Sequence, residues 1–274
     1  MNAPVEATRF GSGQSVRRIE DPALVRGQGV YTDDVALPGQ LHLVFLRSPY
    51  AHARIISIHA TQARGMPGVV ALYTGSDLVA AGVKPMPGPS AFPRPDGKPG
   101  VSAPRRALAN ERVRFVGEAV AMVVAESIDQ ARAAADAIEV EYEELPAVVN
   151  AFDAMQHGAP ALCDDAPDNI AAAMRHGDAA ATAAAFAAAA CTVSVDVDNQ
   201  RLAPSPIEPR AVSAQVPAEG SDAGRLVVRL SSQMPSAVRG GLVDAIPGLS
   251  VETVRVLVGD VGGGFGMKTG IYPE

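Results

Sequence analysis

The chain has 274 residues, of which 47% are hydrophobic and 4% aromatic, so it is long enough for one large domain or two ordinary ones. Its formal net charge of -7 argues against a nucleic-acid-binding protein, which usually presents a basic surface. The two cysteines, Cys163 and Cys191, are too few for an iron–sulfur cluster, which normally has four cysteine ligands.

Residues 1–16 are predicted to form a flexible N-terminus, and they contain no apolar signal segment. No later stretch is both long enough and apolar enough to cross a bilayer, because the alanine tract at 179–190 is short and weakly hydrophobic. We therefore expect a cytoplasmic protein that does not contact a membrane.

The segment that follows predicts a β-rich domain over residues 17–150. Short apolar runs between turn residues predict strands at 41–46, 54–59, 69–73 and 119–125. The last of these is uninterrupted, which is typical of a strand buried on both faces. Ser127 and Gln130 have the spacing of a capping box, so a helix is expected there. The alternation at 138–143 then predicts a strand with one solvent-facing side.

Residues 151–274 predict a second unit of mixed structure. Asp178 is expected to cap an alanine-rich helix, because alanine has the highest helix propensity. Alternating valines predict a strand at 191–198, and further elements are expected as a strand at 225–232, a helix at 235–246 and a strand at 251–258. Since strands and helices do not alternate regularly along the chain, the sequence predicts an α+β fold.

The last strand runs into a glycine loop, Gly262–Gly266, followed by Met267 and Lys268. Consecutive glycines let the backbone approach a ligand and adopt positive φ, and their N–H groups can cradle an anion, to which Lys268 could add a positive charge. A dinucleotide fingerprint is excluded because no acidic residue follows at the required distance, and a P-loop is excluded because Met267 separates Gly266 from Lys268. The glycines alone are explained equally well by an anion-binding loop or by a tight turn.

Two further segments place polar residues where the chain is constrained. Prolines flank Ile207 and Glu208, so this stretch is expected to be rigid and non-helical, and Glu208 could pair with Arg210. Gln233 lies at a strand end, where its amide can both donate and accept hydrogen bonds. From their own chemistry, a structural strand entry and a solvated glutamine are the favoured interpretations. Glu118 and Asp260 are likewise interpreted as turn or ion-pair carboxylates, and His52 as a structural residue.

In their chain order, I-E-P-R, S-S-Q-x-P before a helix, and D-V-G-G-G-F-G-x-K resemble the molybdopterin-binding large subunits of the xanthine oxidase/aldehyde oxidase family. The sequence from Asn199 to Arg210 is most similar to that of the carbon-monoxide-dehydrogenase-like branch. The first domain resembles that family's a/b hammerhead domain through three markers, R-G-Q-G-V-Y-T-D-D, R-S-P-Y-A-H-A and V-G-E-A-V-A. The resemblance implies a hammerhead domain at 17–150, followed at 151–274 by the first part of a molybdopterin-binding domain.

The resemblance also implies a cofactor, molybdenum held by molybdopterin, in bacteria often as the cytosine dinucleotide. It implies that the cofactor is contacted by Gln233, Gly263, Gly264, Phe265 and Gly266. It assigns no protein ligand to the metal and no catalytic residue, since the family's general base lies farther along the chain than residue 274. Thr269 stands where purine-oxidising members carry a glutamate, which argues against purine binding through this position.

The implied activity is hydroxylation of an aldehyde, an N-heterocycle or a CO-like substrate, with water as the oxygen source. Electrons would leave through an Fe-S small subunit and an FAD-binding medium subunit, in a dimer of heterotrimers when the protein is full length. By this comparison the 274 residues are an incomplete portion that is inactive alone. The alternative is a non-catalytic scaffold that binds partner subunits through the hammerhead domain.

Overall fold

The structure, a computed structural model, describes residues 17–86, 92–102 and 105–274. The predicted flexible N-terminus lies outside the described residues. The strands are β1 His42–Arg47, β2 Ala53–His59, β3 Val69–Thr74, β4 Arg112–Val113, β5 Ala119–Ala125, β6 Glu139–Glu144, β7 Val212–Gln215, β8 Leu226–Leu230 and β9 Val254–Leu257. The α-helices are α1 Asp21–Leu24, α2 Thr61–Arg64, α3 Gly75–Ala80, α4 Ile128–Asp136, α5 Ala151–Ala154, α6 Ala179–Ala188 and α7 Pro235–Ala245, and a 3-10 turn spans Thr32–Asp34.

The first sheet has β5 at its centre, paired antiparallel with β1 and with β3. Val123 of β5 lies between Val44 of β1 and Leu72 of β3, and α4 covers this side of the sheet. The prediction of a fully buried strand is thus confirmed for most of β5, where five of seven residues are buried. The predicted start of α4 is also confirmed, because the Ser127 hydroxyl accepts a hydrogen bond from the Gln130 N–H at 3.3 Å.

The second sheet orders its strands β4-β2-β6, again antiparallel. The predicted alternation of β6 is confirmed, since Val140 and Tyr142 turn inward and the glutamates outward. The rings of Tyr50 and Tyr142 pack with centroids 5.1 Å apart. His52 is buried beside this sheet, and its Nδ1 lies 2.7 Å from the Pro146 carbonyl oxygen, which agrees with a structural role.

The third sheet, in the second half of the chain, orders its strands β7-β8-β9. Here β8 runs antiparallel to β7 and parallel to β9, and α7 packs on β9. β9 is shorter than predicted because the preceding residues form a turn, in which the Thr253 hydroxyl accepts a hydrogen bond from the Ser250 N–H at 2.9 Å. The mixture of antiparallel sheets and helices confirms the α+β class.

The predicted strand at 191–198 is wrong. These residues pair with no strand of the described chain, and Val193, Val195 and Val197 are 75–81% exposed. The alternation is present in the sequence, but a strand needs a neighbour to receive its backbone hydrogen bonds. The alanine-rich helix α6 forms as predicted, with Asp178 accepting from the Ala181 N–H at 2.9 Å. No helix of the described ranges is long and apolar enough to span a membrane.

The first sheet supplies a stability test. Leu72 is 2% exposed in the core under α4, so Leu72→Ala should lower the free energy of unfolding by about 2–5 kcal/mol. Leu43 in the same sheet is 44% exposed, and Leu43→Ala should cost less than about 1 kcal/mol. Urea denaturation followed by circular dichroism measures both, and equal losses would contradict the assignment of this core.

Candidate functional site

The three motif-bearing segments of the second half meet at one carboxylate. Oε2 of Glu208 accepts hydrogen bonds from the Ser231 hydroxyl at 2.5 Å, the Gly262 N–H at 2.8 Å and the Lys268 ammonium at 3.0 Å. The Glu208 N–H in turn donates to the Gly262 carbonyl at 3.2 Å. A single side chain thus joins the I-E-P-R segment, the end of β8 and both ends of the glycine loop.

The positive charge of Lys268 is paired with Glu208 inside the protein. Its side chain is 0% exposed and that of Glu208 is 9% exposed. The ammonium also donates to the Glu208 carbonyl and to the Ser231 hydroxyl, each at 2.8 Å. The expectation that Lys268 adds a positive charge for an anion is therefore wrong, because Glu208 neutralises its charge and Glu208 and Ser231 accept its hydrogen bonds.

The expected pair between Glu208 and Arg210 is also wrong. Glu208 turns inward to Lys268, whereas Arg210 stays at the surface and lies 3.7 Å from a Glu274 carboxylate oxygen. The Arg210 guanidinium stacks 3.7 Å from the centroid of the Tyr272 ring. The stretch around Glu208 is non-helical, as predicted, but it forms no strand, and β7 begins only at Val212.

Glu208 is held in its ionised form. Burial acts to raise the pKa of Glu208, but the hydrogen bonds from Ser231, Gly262 and Lys268 outweigh it, and the pKa lies below its ordinary value. An ionised carboxylate with its acceptors occupied is a poor proton acceptor. Glu208 is therefore a structural counter-charge to Lys268 and not a general base.

Gln233 forms the second attachment of the loop. Its Oε1 accepts from the Gly266 N–H at 3.1 Å and the Lys268 N–H at 3.2 Å, and its own N–H donates to the Lys268 carbonyl at 2.9 Å. Its Nε2 has no hydrogen-bond partner within the described part of the chain. Gln233 is thus not a freely solvated side chain, since one end of its amide is fixed and the other remains available to a ligand.

Close contacts or positive φ angles favour glycine at four positions of the loop. An added Cβ on Gly264 would lie 2.5 Å from Cδ of Gln233, and one on Gly262 would collide with Cβ of Glu208. The φ angles of Gly263, Phe265 and Gly266 are positive, at 100°, 49° and 83°. The N–H groups of Gly263, Gly264 and Phe265 have no partner among the described residues, and such successive free N–H groups form a concavity that attracts anions. The structure therefore brings all five predicted site residues together.

The other carboxylates considered from the sequence have structural partners. Glu118 accepts from the Arg114 N–H at 2.6 Å, and burial raises the pKa of Glu118. Asp260 accepts from the Val30 N–H at 2.8 Å. In the ranges that the structure covers, no group of three or more His, Cys, Asp or Glu side chains could hold a metal ion.

Sequence reasoning missed the pairing of Glu208 with Lys268 and the part played by Ser231. Both Glu208 and Lys268 belong to the sequence motifs, so the sequence did single out both residues. Their contact joins residues 60 positions apart, which no local pattern records.

Comparison with known proteins agrees with this arrangement. Residues 26–146 match the family described as aldehyde oxidase and xanthine dehydrogenase, a/b hammerhead domain, and residues 162–274 match the molybdopterin cofactor-binding domain. The chain belongs to the xanthine oxidase/aldehyde oxidase family. The predicted resemblance is confirmed, as is the order of a hammerhead domain followed by the start of a molybdopterin-binding domain.

Individual relatives support the same family assignment. The carbon monoxide dehydrogenase large chain of Hydrogenophaga pseudoflava is 36% identical over 100% of this chain and 34% of its own length. The nicotine 6-hydroxylase large subunit of Paenarthrobacter nicotinovorans is also 36% identical, over 97% of this chain and 31% of its own length. The crystal structure of quinoline 2-oxidoreductase from Pseudomonas putida 86 superposes with a TM-score of 0.77 at 36% identity, covering 95% of this chain and 32% of that one. The chain thus spans about a third of the length of these relatives.

The buried ion pair gives a test of the site's architecture. Lys268→Met leaves the Glu208 carboxylate buried without its counter-charge, so the free energy of unfolding should fall by about 3–5 kcal/mol. Lys98→Met is the matched control, because Lys98 is exposed beside Asp96 and should contribute little measurable stability. Urea titration of both variants decides, and a Lys268→Met protein as stable as the control would show that the pair does not hold the site.

Acid stability gives a second test. Because the pKa of Glu208 is lowered by folding, its stabilising contribution is fully present above the unfolded-state pKa of about 4.3 and is lost as pH falls through the lower folded-state pKa. Glu208→Gln should therefore flatten the decline of stability below about pH 4.3. Glu143→Gln is the control, because the Glu143 side chain is exposed. In this variant the free energy of unfolding, measured from pH 7 downward, should decline with the wild-type slope. Parallel acid profiles for wild type and Glu208→Gln would refute the assignment.

Proposed function

We propose that this chain provides the hammerhead domain, residues 17–150, and the first part of the molybdopterin-binding domain, residues 151–274, of a molybdenum-cofactor hydroxylase large subunit. The observation that carries the proposal is the joint attachment of Gln233 and the glycine loop to one buried scaffold, in a chain that matches this family. The proposed cofactor contacts are Gln233, Gly263, Gly264, Phe265 and Gly266.

The residues present fit an anionic cofactor. Because Glu208 neutralises Lys268, the donors left for a ligand are the free N–H groups of Gly263, Gly264 and Phe265 and the Nε2 of Gln233. These are neutral dipoles with fixed positions, which suit oxygen and sulfur atoms carrying distributed negative charge. No side chain is proposed as a ligand of the metal, which molybdopterin itself would hold.

When bound, the cofactor supplies the two-electron chemistry of a hydroxylation that uses water as the oxygen source. Gln233 orients it, since two N–H donors fix Oε1 and thereby the plane of the amide that presents Nε2. The loop backbone adds donors that need no rearrangement on binding, because Glu208 and Gln233 already hold it. Donors arranged before the ligand arrives cost little reorganisation energy during the reaction.

The proposed substrate class is an aldehyde, an N-heterocycle or a CO-like molecule. Relatives named for carbon monoxide, nicotine and quinoline are all 36% identical to this chain, so similarity does not choose among them. Thr269, which donates to the Gly266 carbonyl at 2.8 Å, argues against purine binding at the position next to the lysine. The proposed partners are an Fe-S small subunit and an FAD-binding medium subunit, in a cytoplasmic dimer of heterotrimers, with the cofactor in its cytosine dinucleotide form.

The test is purification of the polypeptide from its source under native conditions. We expect it to carry stoichiometric molybdenum, to release a pterin and CMP on acid hydrolysis, and to copurify with iron- and flavin-containing subunits. Its intact denatured mass, compared with the 28.2 kDa of this sequence, shows whether the native polypeptide is longer than these 274 residues. Copurification with partner subunits but without molybdenum or pterin would contradict the hydroxylase proposal and support the alternative, a non-catalytic scaffold.

The loop contacts are tested by substitution in the same protein. Gly264→Ala places a methyl group against Gln233 and should weaken cofactor binding, on the scale of the about 10–100-fold affinity loss seen when supporting contacts of metal sites are removed, so that the molybdenum content per polypeptide falls below that of wild type. Gly270→Ala is the matched control, since an added Cβ there has no heavy atom within 4 Å. Elemental analysis of both variants decides, and equal molybdenum contents would remove the loop from the cofactor site.

A further inference from the structure

The marker R-G-Q-G-V-Y-T-D-D of the hammerhead domain touches the supports of the glycine loop. The Val30 N–H donates to Oδ2 of Asp260 at 2.8 Å, and the Val30 carbonyl accepts from the Asp260 N–H at 3.2 Å. Asp260 lies between the end of β9 and the first loop glycine. A reciprocal pair of hydrogen bonds therefore joins the two halves of the chain at the entrance of the loop, across 230 residues.

The same marker also reaches the buried carboxylate. The Thr32 N–H donates to Oε1 of Glu208 at 3.3 Å, whereas the bonds from Ser231, Gly262 and Lys268 all go to Oε2. Thr32 is buried and opens the 3-10 turn, so its N–H is held in place by local structure. The Val30–Thr32 segment thus contacts both carboxylates on which the loop depends.

Gly259 packs closely against the same contact. An added Cβ on Gly259 would lie 3.0 Å from the Val30 carbonyl oxygen, so a larger residue would require this contact to open by a few tenths of an ångström. The residue before Asp260 is therefore part of the fit. This accounts for the glycine that precedes the loop proper in the sequence V-G-D-V-G-G-G.

We propose that the Val30–Thr32 segment of the hammerhead domain is a positioning element for the glycine loop. Asp260 fixes where the loop begins, Glu208 fixes Gly262, and the Val30–Thr32 segment restrains both carboxylates at once. The hammerhead domain thereby sets the backbone position of the loop. That the ligand is the molybdenum cofactor rests on the function proposed above, whereas the positioning itself does not.

Hydrogen–deuterium exchange of the 274-residue chain without cofactor tests the positioning directly. The reporter amides are those of Gly262, Gly266 and Lys268, whose acceptors are Glu208 and Gln233. Asp260→Ala removes the acceptor of the Val30 N–H and should speed their exchange at least about tenfold, since hydrogen bonds to charged groups shift local opening by such factors. Asp260→Asn keeps an oxygen acceptor without the charge, so its exchange should lie between the wild-type rate and that of Asp260→Ala.

Controls separate positioning from general destabilisation. Asp222→Ala removes a carboxylate that pairs with Arg225 and Arg255 near the start of β8, at the opposite end of the β8–β9 pair from Asp260. Asp222→Ala should leave the exchange rates of the reporter amides unchanged. The amides of β5 should exchange at the wild-type rate in every variant. Loop exchange that stays at the wild-type rate in Asp260→Ala, or that accelerates equally in β5, overturns the proposal. If Asp260→Ala does not fold, Gly259→Ala decides, because it keeps every hydrogen-bonding group and should still accelerate the reporters selectively.

The two proposals fail separately. Selective acceleration in a protein that never carries molybdenum would sustain the positioning role and refute the cofactor assignment. Molybdenum content that is normal in wild type, with loop exchange insensitive to Asp260→Ala, would do the reverse.

Discussion

The second half of this protein is organised by the buried ion pair of Glu208 and Lys268. Charges removed from water are costly unless they are paired and hydrogen-bonded, and here the pair is completed by Ser231 and the Gly262 N–H. These four groups lie on three segments of the chain, because Gly262 and Lys268 both belong to the glycine-loop segment. The segments must therefore close on one another whenever the charges are buried, and a loop with almost no side chains acquires a defined position.

That arrangement has a consequence for recognition. Since Lys268 is neutralised within the protein, the loop offers backbone dipoles and the Gln233 amide in place of a net positive charge. Dipoles that are already oriented favour a ligand whose negative charge is spread over several atoms. They also favour one orientation of that ligand, because their own positions are fixed. The supports of these dipoles extend into the hammerhead domain through Val30 and Thr32, so the site belongs to both halves of the chain.

Local patterns were reliable where the chain supplied the partner they required. The apolar run of β5 lies between β1 and β3, and Ser127 begins α4 as its spacing predicted. The alternation at 191–198 is equally regular, yet its valines are exposed because no described strand lies beside it. Alternation records that a segment can present two different faces, whereas strand formation depends on a neighbour whose position is a tertiary property.

The sequence by itself determined the family, the α+β class, most of the described strands and the three longest described helices, and it proposed five residues for the candidate site, because these depend on short-range periodicity and on motifs in a fixed order. Only the tertiary structure decided which charges meet. It paired Glu208 with Lys268 and not with Arg210, withdrew the lysine from ligand binding, and joined Val30 to Asp260. The physical reason is that such contacts link residues 60 and 230 positions apart, and burial, not local sequence, selects the partner of a charge.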